Sequence, residues 1–182
     1  MSFPRSGGVL CHPTSFPGRF GIGDLGKGAY DFVDWLAAAG QQLWQVLPLC
    51  PTGYGDSPYQ CFSAFAGNPL LISPEGLAWN GLLPHDALND IPPFPEHAVD
   101  YGWVIDHKQR LLLQSFAHFK EHGSADQHQG FAWFRAQNAD WLDDFALFMA
   151  LKGYFGGGSW HDWPREVRLR EPAALADHRE KV

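Results

Sequence analysis

Residues 27–49 read KGAYDFVDWLAAAGQQLWQVLPL, and how this stretch folds decides the architecture. Ala29, Phe32, Val33, Leu36 and Gly40 fall at i, i+3, i+4, i+7 and i+11, which is one face of a helix. Gly40 is placed to end that helix in a left-handed turn. Residues 43–49 then form an apolar run that predicts a strand covered on both faces, as parallel strands between helical layers are. Upstream, residues 8–11 (Gly-Val-Leu-Cys) predict a short strand. Strand, helix, strand at these lengths is a βαβ unit.

Downstream the chain changes character. NPLLIS (68–73) suggests a short extended piece, and PEGLAWNGLL (74–83) a helical turn that stops near Gly81. IPPFPEH (91–97) is a stiff connector. Residues 104–121, 131–138 and 140–152 carry helical patterns; in the last, Trp141, Phe145, Phe148 and Lys152 share a face and Gly153 follows as a terminator. A charged segment, 165–181, is expected to be a more exposed helix. The expected division is therefore 1–84, βα units, and 85–182, mainly helical. No internal repeat is visible.

With 182 residues, 45% of them apolar and 15% aromatic, the chain can bury a core of one domain's size. Its net charge is −7 and no basic cluster stands out, which argues against nucleic acid and anionic membrane as partners. No run approaches the roughly 20 apolar residues that span a bilayer. The start, MSFPRSGGVL, has no apolar leader core, so a cytoplasmic setting is expected. Three cysteines, Cys11, Cys50 and Cys61, at irregular spacing predict reduced thiols rather than a disulfide framework. With no C-x-x-C pair, and Cys11 adjacent to His12, no metal site is expected.

Two motifs are read as structural. GIGDLG (21–26) matches the letters of a dinucleotide-binding loop, but no strand directly precedes it and no acidic residue ends the second strand. It reads as a Gly-rich entry to the helix. VIDHK (104–108) places Asp106 beside His107, but adjacent helical positions point about 100° apart, so it reads as a solvated helix start. His12 sits at the carboxyl end of the first strand, where parallel folds gather their active residues; pinning the Pro-rich loop by backbone hydrogen bonds is the competing role.

GYGDSPYQ (53–60) follows the second strand. Gly53 and Gly55 allow a sharp bend and Pro58 locks the chain before Tyr59. Such a rigid loop, presenting Tyr54, Asp56, Ser57 and Tyr59, suits a sugar: aromatic faces cover its apolar C–H face while hydroxyl and carboxylate take its OH groups. A tight turn whose tyrosines pack on neighbouring helices fits the residues as well.

The stretches LCHPTSFPG, GIGDLG, WQVLPLCPTGYGDSPYQCFSAFAGNPLLI, VDYGWV and FALFMALKGYFGG resemble the amino-terminal part of the 4-α-glucanotransferases, the amylomaltases or disproportionating enzymes of glycoside hydrolase family 77. The run from Trp44 to Ile72 is the most specific part. The resemblance implies a (β/α)8 barrel of the α-amylase superfamily with helical insertions, and a retaining transfer of α-1,4-glucan segments between maltodextrins through a covalent glycosyl ester on an Asp. It implies no cofactor. It gives Tyr59 a stacking role at the cleavage point, Asp56 and Ser57 roles in positioning loop and substrate, and Tyr54 and Tyr101 places in a second glucan-binding groove. The family's nucleophile follows an Arg-x-Asp-His motif, and its acid/base Glu and a further Asp come later; none of these is present, and Val104 stands where that Arg would be. A bare barrel takes about 250 residues. The chain is thus expected to be an amino-terminal portion without catalytic carboxylates, inactive alone, with the remainder of its barrel as a partner. A non-catalytic glucan-binding or regulatory module is the alternative.

Overall fold

The computed structural model describes residues 4–182. Strand β1 (Gly8–Leu10), helix α1 (Lys27–Ala38) and strand β2 (Leu43–Gln45) form the expected βαβ unit. The two strands are parallel, in the register Gly8↔Leu43, Val9↔Trp44, Leu10↔Gln45. Bonds from Gln42 N to Gly7 O (2.9 Å) and Cys11 N to Gln45 O (3.1 Å) extend the ladder at each end. Helix α1 stops as expected: Gly40 takes φ 68°, Gln41 N donates to Leu36 O and Gly40 N to Ala37 O, a paired closure that satisfies the last carbonyls.

The second strand is shorter than expected and less covered. β1 turns at Pro13–Ser15 into a 3-10 turn, so residues 46–49 have no ladder partner, and Pro48 has no N–H to offer. Leu10 and Leu43 are exposed, as are Val33 and Trp35 of α1. One side is closed by aromatic packing: the rings of Phe16, Phe32 and Trp44 lie 5.0–5.8 Å apart, and the Trp44 indole donates to Cys11 O at 2.7 Å. This bond ties β2 to the carboxyl end of β1.

The remaining helices are α2 (Pro74–Trp79), α3 (Tyr101–His122), α4 (Ala125–Gln137), α5 (Leu142–Tyr154), α6 (Arg165–Arg168) and α7 (Pro172–Arg179). Ser73 caps α2 and Asp100 caps α3 through their side-chain oxygens. Four expectations are corrected. Pro69–Leu71 is a 3-10 turn capped by Asn68, not extended, because the Asn68 side chain captures Leu70 N at 2.9 Å. Helix α5 buries Leu147 and Leu151, and it runs past Gly153 to turn at Gly156 and Gly157, both with positive φ. The charged carboxyl-terminal segment is two helices, broken at Arg170 (φ 58°) ahead of Pro172. Finally, the VIDHK segment is not simply solvated: Ile105 and Asp106 are exposed, but Val104, His107 and Lys108 join Leu111 and Ser115 on the buried inner face of α3.

Lys108 explains how a charge fits there. Its Nζ donates to Leu70 O (2.6 Å) and Ile72 O (2.9 Å) and pairs with Asp24 at 3.2 Å. The other oxygen of Asp24 accepts from Gly26 N, so the Gly-rich loop, the 69–72 turn and α3 meet at one cation. Burial pushes the Lys108 amine below its ordinary value, and the Asp24 charge opposes that shift.

The chain forms two compact units, one up to His128 and one from Gln129 to Val182. In the first, Phe20, Ala78, Leu83, Leu88 and Leu111 make one core cluster, and Ile22, Leu70 and Val104 another. In the second, Leu147, Leu151, Trp163 and Val167 pack with Phe148, Phe155 and Leu175. Among the described residues, no helix is long and apolar enough to cross a membrane.

Candidate functional site

Beyond β2 the chain runs to Leu49 and opens into a closed loop. Its two limbs are joined at the base: Thr52 bridges Cys61 in antiparallel fashion, Phe62 N donates to Pro51 O (3.2 Å), and Asn68 N to Leu49 O (2.8 Å). Cys50 and Cys61 are free thiols that meet there. Burial, then the hydrogen bond and charge of Cys61, push the Cys50 thiol up, away from the thiolate a nucleophile needs.

The tip is a 3-10 turn over Tyr54–Asp56. Gly55 has φ 65° and Asp56 φ 54°, two successive left-handed residues, the second of which is not glycine. Gly53 is required for a different reason: a Cβ there would lie 2.4 Å from Gln60 O. Asp56 N donates to Gly53 O, Gln60 N to Ser57 O, and Tyr59 N to the Ser57 hydroxyl. The loop is therefore held by its own backbone. What it presents outward is aromatic: Tyr54 is 89% exposed and Tyr59 71%. Among the described residues neither tyrosine takes part in a ring pair, and the Asp56 carboxylate enters no hydrogen bond or ion pair. The Ser57 hydroxyl, which accepts from Tyr59 N, keeps its proton available to donate. Phe65, 74% exposed on the returning limb, adds an aromatic surface that sequence reasoning missed; Phe62 and Phe65 among small residues make too short a pattern to carry a periodic signal.

Tyr101 belongs to a different element. It is the first residue of α3, half-buried against Ile22, Leu70 and Val104. With Phe16, Arg19, Phe94 and His97 it lines a cleft of about 870 Å³, and no residue of 53–60 takes part in that cleft. The structure thus brings Tyr54, Asp56, Ser57 and Tyr59 together on one loop, while Tyr101 belongs to α3.

His12 caps the turn at Pro13–Ser15. Its Nδ1 is 2.7 Å from the Thr14 hydroxyl and accepts from Thr14 N at 3.4 Å. Burial lowers its pKa; the Pro48 carbonyl works against that, although no partner lies within hydrogen-bond reach of Nε2 among the described residues. The observed bonds are those of a loop-pinning residue. No group of three or more His, Cys, Asp or Glu side chains that could hold a metal occurs among the described residues.

A family model for 4-alpha-glucanotransferase (glycoside hydrolase family 77) matches residues 11–182. The 4-alpha-glucanotransferase of Thermus thermophilus is 52% identical over 177 residues, covering 97% of this chain and 35% of that protein. That of Synechocystis is 51% identical over 171 residues, covering 94% of this chain and 34% of that protein. Among solved structures, the amylomaltase from Streptococcus agalactiae in complex with acarbose superposes with a TM-score of 0.90 at 38% identity, over 98% of this chain and 36% of that one. The chain spans about a third of the length of the curated relatives it matches.

Proposed function

The chain belongs to the 4-alpha-glucanotransferase family, and from that premise we propose that it is the amino-terminal part of an enzyme that moves α-1,4-glucan segments between maltodextrins. In this reading residues 1–84 supply the first βα units of a (β/α)8 barrel and residues 85–182 a mainly helical insertion, whose helix α3 packs back on the Gly-rich loop through Lys108. The setting is cytoplasmic.

The observation that carries the proposal is the loop 53–60: a self-braced turn at the carboxyl end of a parallel strand, with two exposed tyrosines, a carboxylate and a hydroxyl. Loops at that end of the strands build the active face of barrel enzymes. Tyr59 is assigned to the sugar ring at the cleavage point. A flat ring covers the apolar face of a glucose without demanding a particular hydroxyl pattern along a repeating polymer. Asp56 and Ser57 take hydroxyl groups and hold the loop. Tyr54 and Tyr101 are assigned to a second glucan-binding groove.

The reaction is the retaining two-step exchange, in which one carboxylate forms the glycosyl ester and a second moves the proton. No residue of this chain is assigned either role. The chain's part is to bind and orient the donor glucan, so the 182 residues alone are expected to be inactive. Incubating the whole protein with maltotriose tests the activity. Glucose together with chains longer than maltotriose is the expected product set; glucose and maltose alone would mean water is the acceptor, and the transferase assignment would fail.

A further inference from the structure

The last turn of α3 carries a feature that the glucan reading does not use. His118 and His122 lie one turn apart on the same helix face, their rings parallel (7° between planes) with centroids 4.5 Å apart. His122 is well exposed and His118 half-buried. We propose that these two side chains form a surface site for a borderline divalent transition ion, Zn²⁺, Ni²⁺ or Cu²⁺, held by two imidazole nitrogens.

The i, i+4 spacing supplies what a chelate needs: both side chains leave the same helix face one turn apart, with their rings already side by side. In the stacked pose the in-plane nitrogen lone pairs run parallel, so a shared ion at about 2.0–2.1 Å from both nitrogens requires the two rings to turn out of the stack about their side-chain bonds. Imidazole selects this class of ion; Mg²⁺ and Ca²⁺ prefer oxygen ligands. The electrostatics agree. His122 is the final residue of α3, where the unpaired carbonyls make the helix end negative. The Glu121 carboxylate lies 3.9 Å from His122 Nδ1 and adds an anion at the rim. The nearest cation on the helix, Lys120, is drawn over the Phe116 ring, with Nζ 5.0 Å from its centroid.

The segment His118-Phe119-Lys120-Glu121-His122 also spells the H-x-x-E-H order of a class of zinc hydrolases. The spacing has the same physical meaning here, two histidines on one face, but the catalytic meaning does not carry over. Those enzymes need a third protein ligand, and none is assembled among the described residues. The remaining positions on the ion belong to water, so the site binds and does not hydrolyse. His128 is the natural control: it is close in sequence, yet its ring packs at a tilt against Phe119, centroids 4.4 Å apart, rather than on the histidine pair.

The test uses the whole protein and Cu²⁺ as probe, read by electron paramagnetic resonance, with Zn²⁺ titrated by calorimetry. The proposal expects a copper signal with two nitrogen ligands that is lost in His118→Ala and in His122→Ala and kept in His128→Ala. It expects Zn²⁺ affinity to fall about tenfold or more in either of the first two variants. His122, exposed at the helix end, is the substitution least able to disturb folding, and an unchanged far-UV circular dichroism spectrum verifies that. The same spectrum and the same Zn²⁺ affinity in the parent and in His122→Ala would overturn the proposal, as would no uptake by the parent at pH 7.5.

Discussion

His107 shows how much one buried side chain fixes. Arg110 lies 3.2 Å from its Nδ1, and since a guanidinium only donates, Nδ1 accepts and the proton sits on Nε2. That Nε2 is buried without a partner among the described residues, while the ring lies between Phe20 and Phe94. Burial lowers its pKa most, Arg110 next and Lys108 least, against a smaller opposing pull from Asp90. His12 shifts the same way. The folded state therefore binds fewer protons than the unfolded chain below the ordinary value of 6.5. Stability is expected to fall as pH drops through 6.5 toward the lowered folded values. Urea midpoints at pH 7.5 and 5.5 measure this, and His107→Phe, which keeps the stacking and removes the proton site, should flatten the slope. An equally steep slope in that variant would assign the effect elsewhere. Two loop glycines give a sharper pair. Gly55→Ala meets no atom within 4 Å, so its cost is only the left-handed backbone, about 1 kcal/mol. Gly53→Ala collides with the Gln60 backbone and must open the loop, so it should weaken maltodextrin binding while Gly55→Ala leaves it nearly intact. Equal binding by both would show that the loop's shape does not matter.

The elements were legible where a local rule decides them. The period of α1, its Gly40 terminus and the βαβ order all followed from the sequence, because caps and turn residues act over a few positions. The same local logic missed what distant partners decide. Lys108 reads as a surface charge until Asp24 and the carbonyls of Leu70 and Ile72 are brought to it. Asn68 reads as part of an extended piece until its side chain caps a turn. Lys108→Met should lower stability by about 3–5 kcal/mol, since it strands a carboxylate and two carbonyls in the interior. Adding Asp24→Asn should recover part of that loss by removing the uncompensated charge, and thermal unfolding of the double-mutant cycle measures the coupling. A cycle with no coupling would mean the bridge is not what stabilises this junction.

Over the whole molecule, the covered and uncovered surfaces differ sharply. The inner face of α3 is buried, whereas Leu10 and Leu43 of the strands and Val33 and Trp35 of α1 remain exposed. An exposed apolar strip beside a two-stranded sheet is sticky and marginal. In the 182-residue chain, amides of residues 43–45 should exchange with solvent well before those of 104–115; comparable protection would contradict this. The sequence also marked the loop 53–60 as the candidate site, since Gly, Pro and Tyr at those spacings specify a rigid aromatic turn. Only the family resemblance joined Tyr101 to Tyr54 of that loop, because nothing local in the sequence links the two. The proposed function puts the glucan on this turn. The most direct measurement is kcat/KM for maltotriose disproportionation by the whole protein with Tyr59→Ala, checked for folding. Loss of the stacking surface should reduce it by about tenfold or more. A value within twofold of the parent would contradict the assignment of Tyr59 to the glucan.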